Sequence, residues 1–245
     1  MVAPGGPDGD ARGGLAGVRR PGHRGLALAL GLLALAARAD AQGLLDFVTF
    51  DGIDYLRWAE EPGRTLTRGD LGADFATVAC SIGEDRQGCP YGLDAAAAFM
   101  PTGTRMYAVR GHATDFRLAA VWQDRIFLYQ AWRNPRAKVG AELYAIAGKV
   151  RAIDVERGEP RPAAARAPAA TLSARDAEAL VEMIARAAMR RPQAHAFGEP
   201  RYWLTFWLAD GTALRRPYFA ETSELMDGVA LPAEFRRILE RYLGD

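Results

Sequence analysis

Serine, histidine, cysteine and lysine are all scarce in this chain, and each shortage narrows the chemistry open to it. The only serines are Ser81, Ser173 and Ser223, and none stands in the G-x-S-x-G context that exposes a hydrolase nucleophile on a sharp turn. The histidines are His23, His112 and His195; there is no H-E-x-x-H, no G-x-G-x-x-G, no phosphate loop and no ladder of calcium-binding carboxylates. No cofactor is therefore expected. Lysine is limited to Lys138 and Lys149, while arginine and alanine abound, which reads as a bacterial composition bias rather than a functional signal. The 31 basic and 30 acidic residues nearly cancel. Without a clustered basic footprint a nucleic-acid partner is not expected, and the pairs Arg190-Arg191, Arg215-Arg216 and Arg236-Arg237 read as solvated faces.

Long apolar runs are also missing. The longest, Gly25–Ala37, has thirteen residues without a polar side chain. As a helix it would reach roughly 20 Å, short of the ~30 Å hydrocarbon core of a bilayer. It is preceded by Arg19, Arg20, His23 and Arg24 and followed by Ala39-Asp40-Ala41. A positive flank, a short apolar stretch and small residues at the recognition positions make a secretory signal, with Gln42 as the new N-terminus. Residues 1–17, rich in Gly, Pro and Ala, carry no packing pattern; Val18 is an alternative start for the same signal. Removal of 1–41 takes away Arg12, Arg19, Arg20, Arg24 and Arg38 with Asp8, Asp10 and Asp40, leaving 26 basic against 27 acidic residues. No cysteine lies near the cleavage point to carry a lipid, so no stable membrane insertion is expected after cleavage.

In an oxidising compartment the only cysteines, Cys80 and Cys89, are expected to pair. The intervening SIGEDRQG has the glycines and charges of an exposed turn, and closing so short a loop contributes roughly 2–3 kcal/mol. Two thiolates at this spacing also suit half of a zinc site, for which both His112 and His195, or distant carboxylates, would have to serve as the other ligands.

The pattern of the remaining chain indicates an α+β fold: a β-rich, barrel- or sandwich-like domain over 42–156, a Pro/Ala-rich linker over 157–172 and a helix–β-hairpin–helix unit over 173–245. FVTF and IDYLRW flank Asp51-Gly52, a strong two-residue hairpin signal. FATVAC (75–80), MYAVR (106–110), FRLAAVW (116–122) and IFLYQAW (126–132) read as further strands, the last apolar on both faces and hence central. LDAAAAFM (93–100) suggests a helical turn, and ELYAIAG with KVRAIDV (142–155) would close the first domain. Ser173 with Asp176 marks a helix start whose apolar face is Ala177, Leu180, Val181, Ile184 and Ala188, ending at Arg190-Arg191 and Pro192. RYWLTFWLA and TALRRPYF form a second hairpin about Asp210-Gly211, with Pro217 marking an edge strand. Phe235, Ile238, Leu239 and Tyr242 then lie on one face of a last helix.

Aromatic side chains carry the clearest functional lead. Trp58, Trp122, Trp132, Trp203 and Trp207 all fall in or beside strands, and with His112, expected at an exposed turn tip, they are the candidate ligand or partner surface. Both faces of the Trp203/Trp207 strand are apolar, so one meets the helices and the other meets either the β-rich region or a partner. Asp46, Asp51 and Asp54 crowd the first hairpin; Glu84, Asp85 and Asp94 flank the cystine loop as a weak calcium alternative. The function expected is a secreted or periplasmic, non-catalytic binding protein for an extracytoplasmic protein or glycan. A carboxylate- or histidine-dependent hydrolase and an envelope assembly component are the alternatives.

Overall fold

The first hairpin sets the frame. Asp51 and Gly52 both take positive φ (52° and 71°), the two-residue turn that matches strand twist. It joins β1 (Asp46–Phe50) to β2 (Ile53–Arg57) in the register Phe50↔Ile53 through Asp46↔Arg57. The computed structural model describes residues 45–58, 62–158, 170–192 and 201–243; the secretory signal, most of the Pro/Ala-rich linker and His195 lie outside them. Around this hairpin an eight-stranded sheet adds β3 (Leu71–Thr77), β4 (Cys80–Ser81), β5 (Ala96–Ala97), β6 (Arg105–Val109), β7 (Arg117–Trp122) and β8 (Arg125–Arg133). Its order is β3-β6-β7-β8-β2-β1-β5-β4. Cys80 and Cys89 are joined as a disulfide.

β8 is central, as its double apolar face requires. Phe127, Tyr129 and Ala131 enter the main core, whereas Ile126 and Leu128 pack with Leu66, Val109 and Ala119 on the other face. The 93–100 segment is not a helical turn. Ala95 takes φ 57°, which a right-handed helix cannot accept, and Ala96–Ala97 instead form β5 between β1 and β4.

A second sheet is built from β9 (Val150–Arg157), β10 (Ala170–Thr171), β11 (Arg201–Leu208), β12 (Ala213–Phe219), β13 (Glu224–Leu225) and β14 (Val229–Ala230), in the order β10-β9-β11-β12-β13-β14. The 142–155 stretch therefore does not close the first sheet. Its beginning belongs to α1 (Gly140–Leu143) and its end is β9, which pairs with β11 from Tyr202↔Arg157 to Leu208↔Val150. The described ends of the expected linker, Arg157 and Ala170–Thr171, are strand residues of this sheet.

Two helices cover the sheet's Ile153, Val155, Leu204, Phe206 and Leu214. α2 (Ala174–Arg186) starts where the sequence places it, with Ser173 Oγ accepting from Asp176 N–H at 3.2 Å. Asp176 does not reach back to the cap. The Tyr242 hydroxyl of α3 (Ala233–Leu243) takes that place, accepting from Ser173 N–H and donating to Asp176. α2 buries Ala177, Leu180, Val181 and Ile184 but stops at Arg186, before Arg190-Arg191. Ala188 and Met189 are drawn into bridges with Val139 and Val229, which an extended backbone alone can make. Residues 44–245 form one compact unit, a β-rich region followed by helices and a smaller sheet. Among the described residues no helix is long and apolar enough to cross a membrane.

Candidate functional site

The two sheets meet at the flank of β12. Pro217 lacks an N–H, as an edge strand allows, yet β12 is no open edge. β13 pairs with it only at Tyr218 and Phe219, and side chains of the first sheet serve its carbonyls further along. Arg117 donates to the Ala213 carbonyl at 2.9 Å and to the Thr212 hydroxyl at 2.6 Å, and Gln130 Nε2 donates to the same carbonyl at 2.9 Å. In return Arg216 donates to the Ala131 carbonyl on β8 at 3.1 Å. Arg215 and Arg216 thus form no solvated face; both are buried. Consecutive residues of a strand point to opposite sides. Arg215 meets Glu156 at 3.0 Å and lies over the Trp203 ring, while Arg216 enters the core beside Asp227 and Tyr144.

Asp227 is buried and accepts from the Tyr144 hydroxyl. Burial pushes its carboxyl up to about 6 against the lowering influence of Arg216 and Tyr144. A folded-state value above the unfolded one means that the neutral form favours folding. The contribution is complete below about pH 4 and is lost as pH rises through 6. The stability of wild type relative to Asp227→Asn, measured by denaturant unfolding of both at each pH, is expected to fall between pH 4 and 7. A parallel pH profile in the variant would contradict this.

His112 is not an exposed turn residue: its side chain is 3% exposed. The 111–112 turn folds against the second hairpin, where His112 Nε2 lies 2.8 Å from Asp210 Oδ2. Asp210 also accepts from the Thr212 N–H and hydroxyl through Oδ1. Burial pushes the Asp210 carboxyl up, but the bonds from Thr212 and His112, with Arg117 nearby, outweigh it and bring it to about 2. Burial lowers the His112 imidazole, with Arg117 and Lys149 adding to the effect against Asp210. Although His–carboxylate geometry is half of a hydrolytic triad, Nδ1 is sealed from solvent without a hydrogen-bond partner among the described residues. Among the described residues the pair therefore orients no nucleophile; it joins the two hairpins. The Asp210 turn itself is wider than two residues, since Leu208 N–H bonds to the Thr212 carbonyl.

The carboxylates are similarly committed. Asp46 accepts from Arg57 at 2.5 Å and Tyr129 at 2.8 Å, and Asp54 from Thr49, Arg133 and Tyr91. Asp51 pairs with Arg136. Glu84 accepts from Thr102 N–H, Asp85 from the Gln87 and Gly88 N–H groups, and Asp94 from Asp51 N–H. The three cystine-loop acids thus serve separate backbone donors. Among the described residues no three His, Cys, Asp or Glu side chains are grouped to hold a metal.

The tryptophans divide. Trp203, 6% exposed, meets Trp58 edge-on at 6.4 Å, and Trp58 and Trp132 pack on Phe47, Leu56 and Ala98. The Tyr202–Leu204–Phe206 face of β11 meets the helices, and Trp207 on the opposite face donates to Asp154. Trp122, 37% exposed at the β7–β8 turn, lies 6.5 Å from Phe127.

Beside Phe127 opens a cleft of about 210 Å³. β2 pairs with β8 from Gln130 onward, so the first half of β8 runs past the end of β2. Arg57, Trp58, Arg125 and Phe127 line the step so formed, and residues 62–66 with Thr212 make the opposite wall. That wall is tied down by the Gly63↔Thr212 bridge and by Arg64 N–H to the Gly211 carbonyl at 2.9 Å. Gly63 has φ 99° and a Cβ there would stand 2.9 Å from the Gly211 carbonyl, so the approach requires glycine. Arg64 Nε bonds to the Asp210 carbonyl, and its guanidinium makes a two-point pair with Asp70 at 2.7 and 2.8 Å that holds the Asp70 carboxyl far below its usual range. The guanidiniums of Arg57 and Arg125 lie 5.0 and 5.1 Å from the centroid of the same Phe127 ring. Sequence reasoning named Trp58 but neither arginine, because their convergence depends on β8 overrunning β2, a register that alternation does not encode.

No family model matches the chain, and neither the curated proteins nor the solved structures compared with it contain a match.

Proposed function

We propose that this chain is exported and works outside the cytoplasm as a non-catalytic binding protein whose ligand enters the cleft beside Phe127. The observation that carries the reading is the cleft itself: a fixed wall, an aromatic floor and two guanidiniums seated on the same ring are the parts of a binding pocket. The histidine and carboxylates that would suit hydrolysis are meanwhile engaged in holding strands and turns together. The Cys80–Cys89 bridge supports an oxidising location.

The reading is tested by following thermal stability and turnover of mature wild type, Trp58→Phe and His112→Gln against a panel of small metabolites, sugars and peptides. A saturable stabilisation that Trp58→Phe weakens and His112→Gln retains is expected. Consumption of a panel compound by wild type, abolished in a folded His112→Gln variant, would replace binding with catalysis.

A further inference from the structure

We infer that the cleft takes a small oxyanion, a carboxylate or phosphate group, held by Arg125 together with Arg57 against Phe127. The inference rests on the binding reading above and specifies its ligand. Three arginines line the cleft, and two have carboxylate partners: Arg57 pairs with Asp46, and Arg64 with Asp70. Arg125 has none within ion-pair distance among the described residues, and its guanidinium is seated on the Phe127 ring. The two guanidiniums that share the Phe127 ring are at most about 10 Å apart by their distances from its centroid. Each ring contact restrains a long side chain and leaves N–H groups to donate elsewhere, the fork geometry that suits carboxylate and phosphate oxygens.

Size narrows the choice. A cleft of about 210 Å³ holds roughly seven waters' share of liquid volume, room for an oxyanion with a few attached carbons and too little for a folded segment. Arg64 does not compete for the anion, because Asp70 and the Asp210 carbonyl already engage its guanidinium and fix the wall. At a partly open site the attraction is screened by salt, so millimolar binding that weakens with ionic strength is expected.

Inorganic phosphate and citrate, titrated separately into the mature disulfide-bonded protein at low ionic strength with tryptophan fluorescence and calorimetry as readouts, test this. The expected result is saturable binding of at least one probe, weakened tenfold or more by Arg125→Gln and unchanged by Arg105→Gln on β6. Arg125 is exposed, so its substitution leaves the fold intact, to be verified by an unchanged unfolding transition. Phosphate alone binding assigns a phosphoryl group, and citrate alone a carboxylate. No saturable binding of either, or equal loss in both variants, overturns the inference. The broader reading still stands if an uncharged compound from the panel binds with dependence on Trp58, and falls with the inference if His112 is needed for turnover.

Discussion

Replacing Gly140 with alanine is expected to destabilise the protein by about 3 kcal/mol or more, above the ordinary range for an added core methyl. Gly140 opens α1 where that helix crosses the end of α2. Its N–H bonds to the Ala187 carbonyl at 2.8 Å, and a Cβ would overlap the Ile184 carbonyl oxygen and stand 3.2 Å from a Val229 methyl. A carbonyl in the last turn of a helix cannot move aside as a flexible side chain can. The α1–α2 contact would have to open, and Tyr144, on the next turn, would be displaced from Asp227. Denaturant unfolding of Gly140→Ala beside the exposed control Ala141→Gly measures the effect. A change in Gly140→Ala below about 1 kcal/mol would show that the two helices separate freely.

The second large effect is expected at Arg117. Its side chain is fully buried, and it supplies two hydrogen bonds from the first sheet to the second hairpin. Arg117→Ala removes both charge-assisted bonds, leaves the Thr212 hydroxyl oxygen without that donor and the Ala213 carbonyl with the Gln130 bond, and opens a cavity against Phe116. Hydrogen bonds from charged groups contribute about 1.5–3 kcal/mol each, and truncation of a large buried side chain costs several more. A loss of about 3–5 kcal/mol is therefore expected, part of the gross effect being offset because a buried charge is also removed. Hydrogen exchange locates the damage: faster exchange at Thr212–Leu214 and Gln130–Ala131 is expected, with little change in the α2–α3 contact. A loss under 1 kcal/mol, or uniform acceleration, would contradict a local latch between the sheets.

These positions mark where the sequence stopped being legible. Elements with a local cause were readable. Asp51-Gly52 dictates its hairpin, Ser173 its helix start, and the double apolar face of 126–132 its central place. The Cys80–Cys89 pairing followed from there being only two thiols. Elements decided at long range were not. Val150–Arg157 alternates well in either sheet, and only its match to β11 assigns it to the second. Ala95 looked helical by composition, but the approach of β5 to β1 imposes a positive φ. Arg215 and Arg216 carry the composition of a surface, yet both are consumed by partners more than fifty residues away in sequence. His112 likewise had a glycine-turn context that said exposed, while its partner Asp210 stands 98 residues downstream in what local pattern reads as an ordinary turn. The candidate site was half legible, through Trp58; its arginines become a group only once β8 overruns β2.

Export, the bridge and ligand retention meet in one measurement, the native intact mass of the protein recovered from outside the producing cell, with and without reductant and for wild type beside Arg125→Gln. The account predicts a chain beginning at Gln42 that gains two hydrogens on reduction and, sprayed from millimolar phosphate or citrate, carries a small non-covalent adduct that is diminished in the variant. A full-length chain confined to the cytoplasm with free thiols would contradict it.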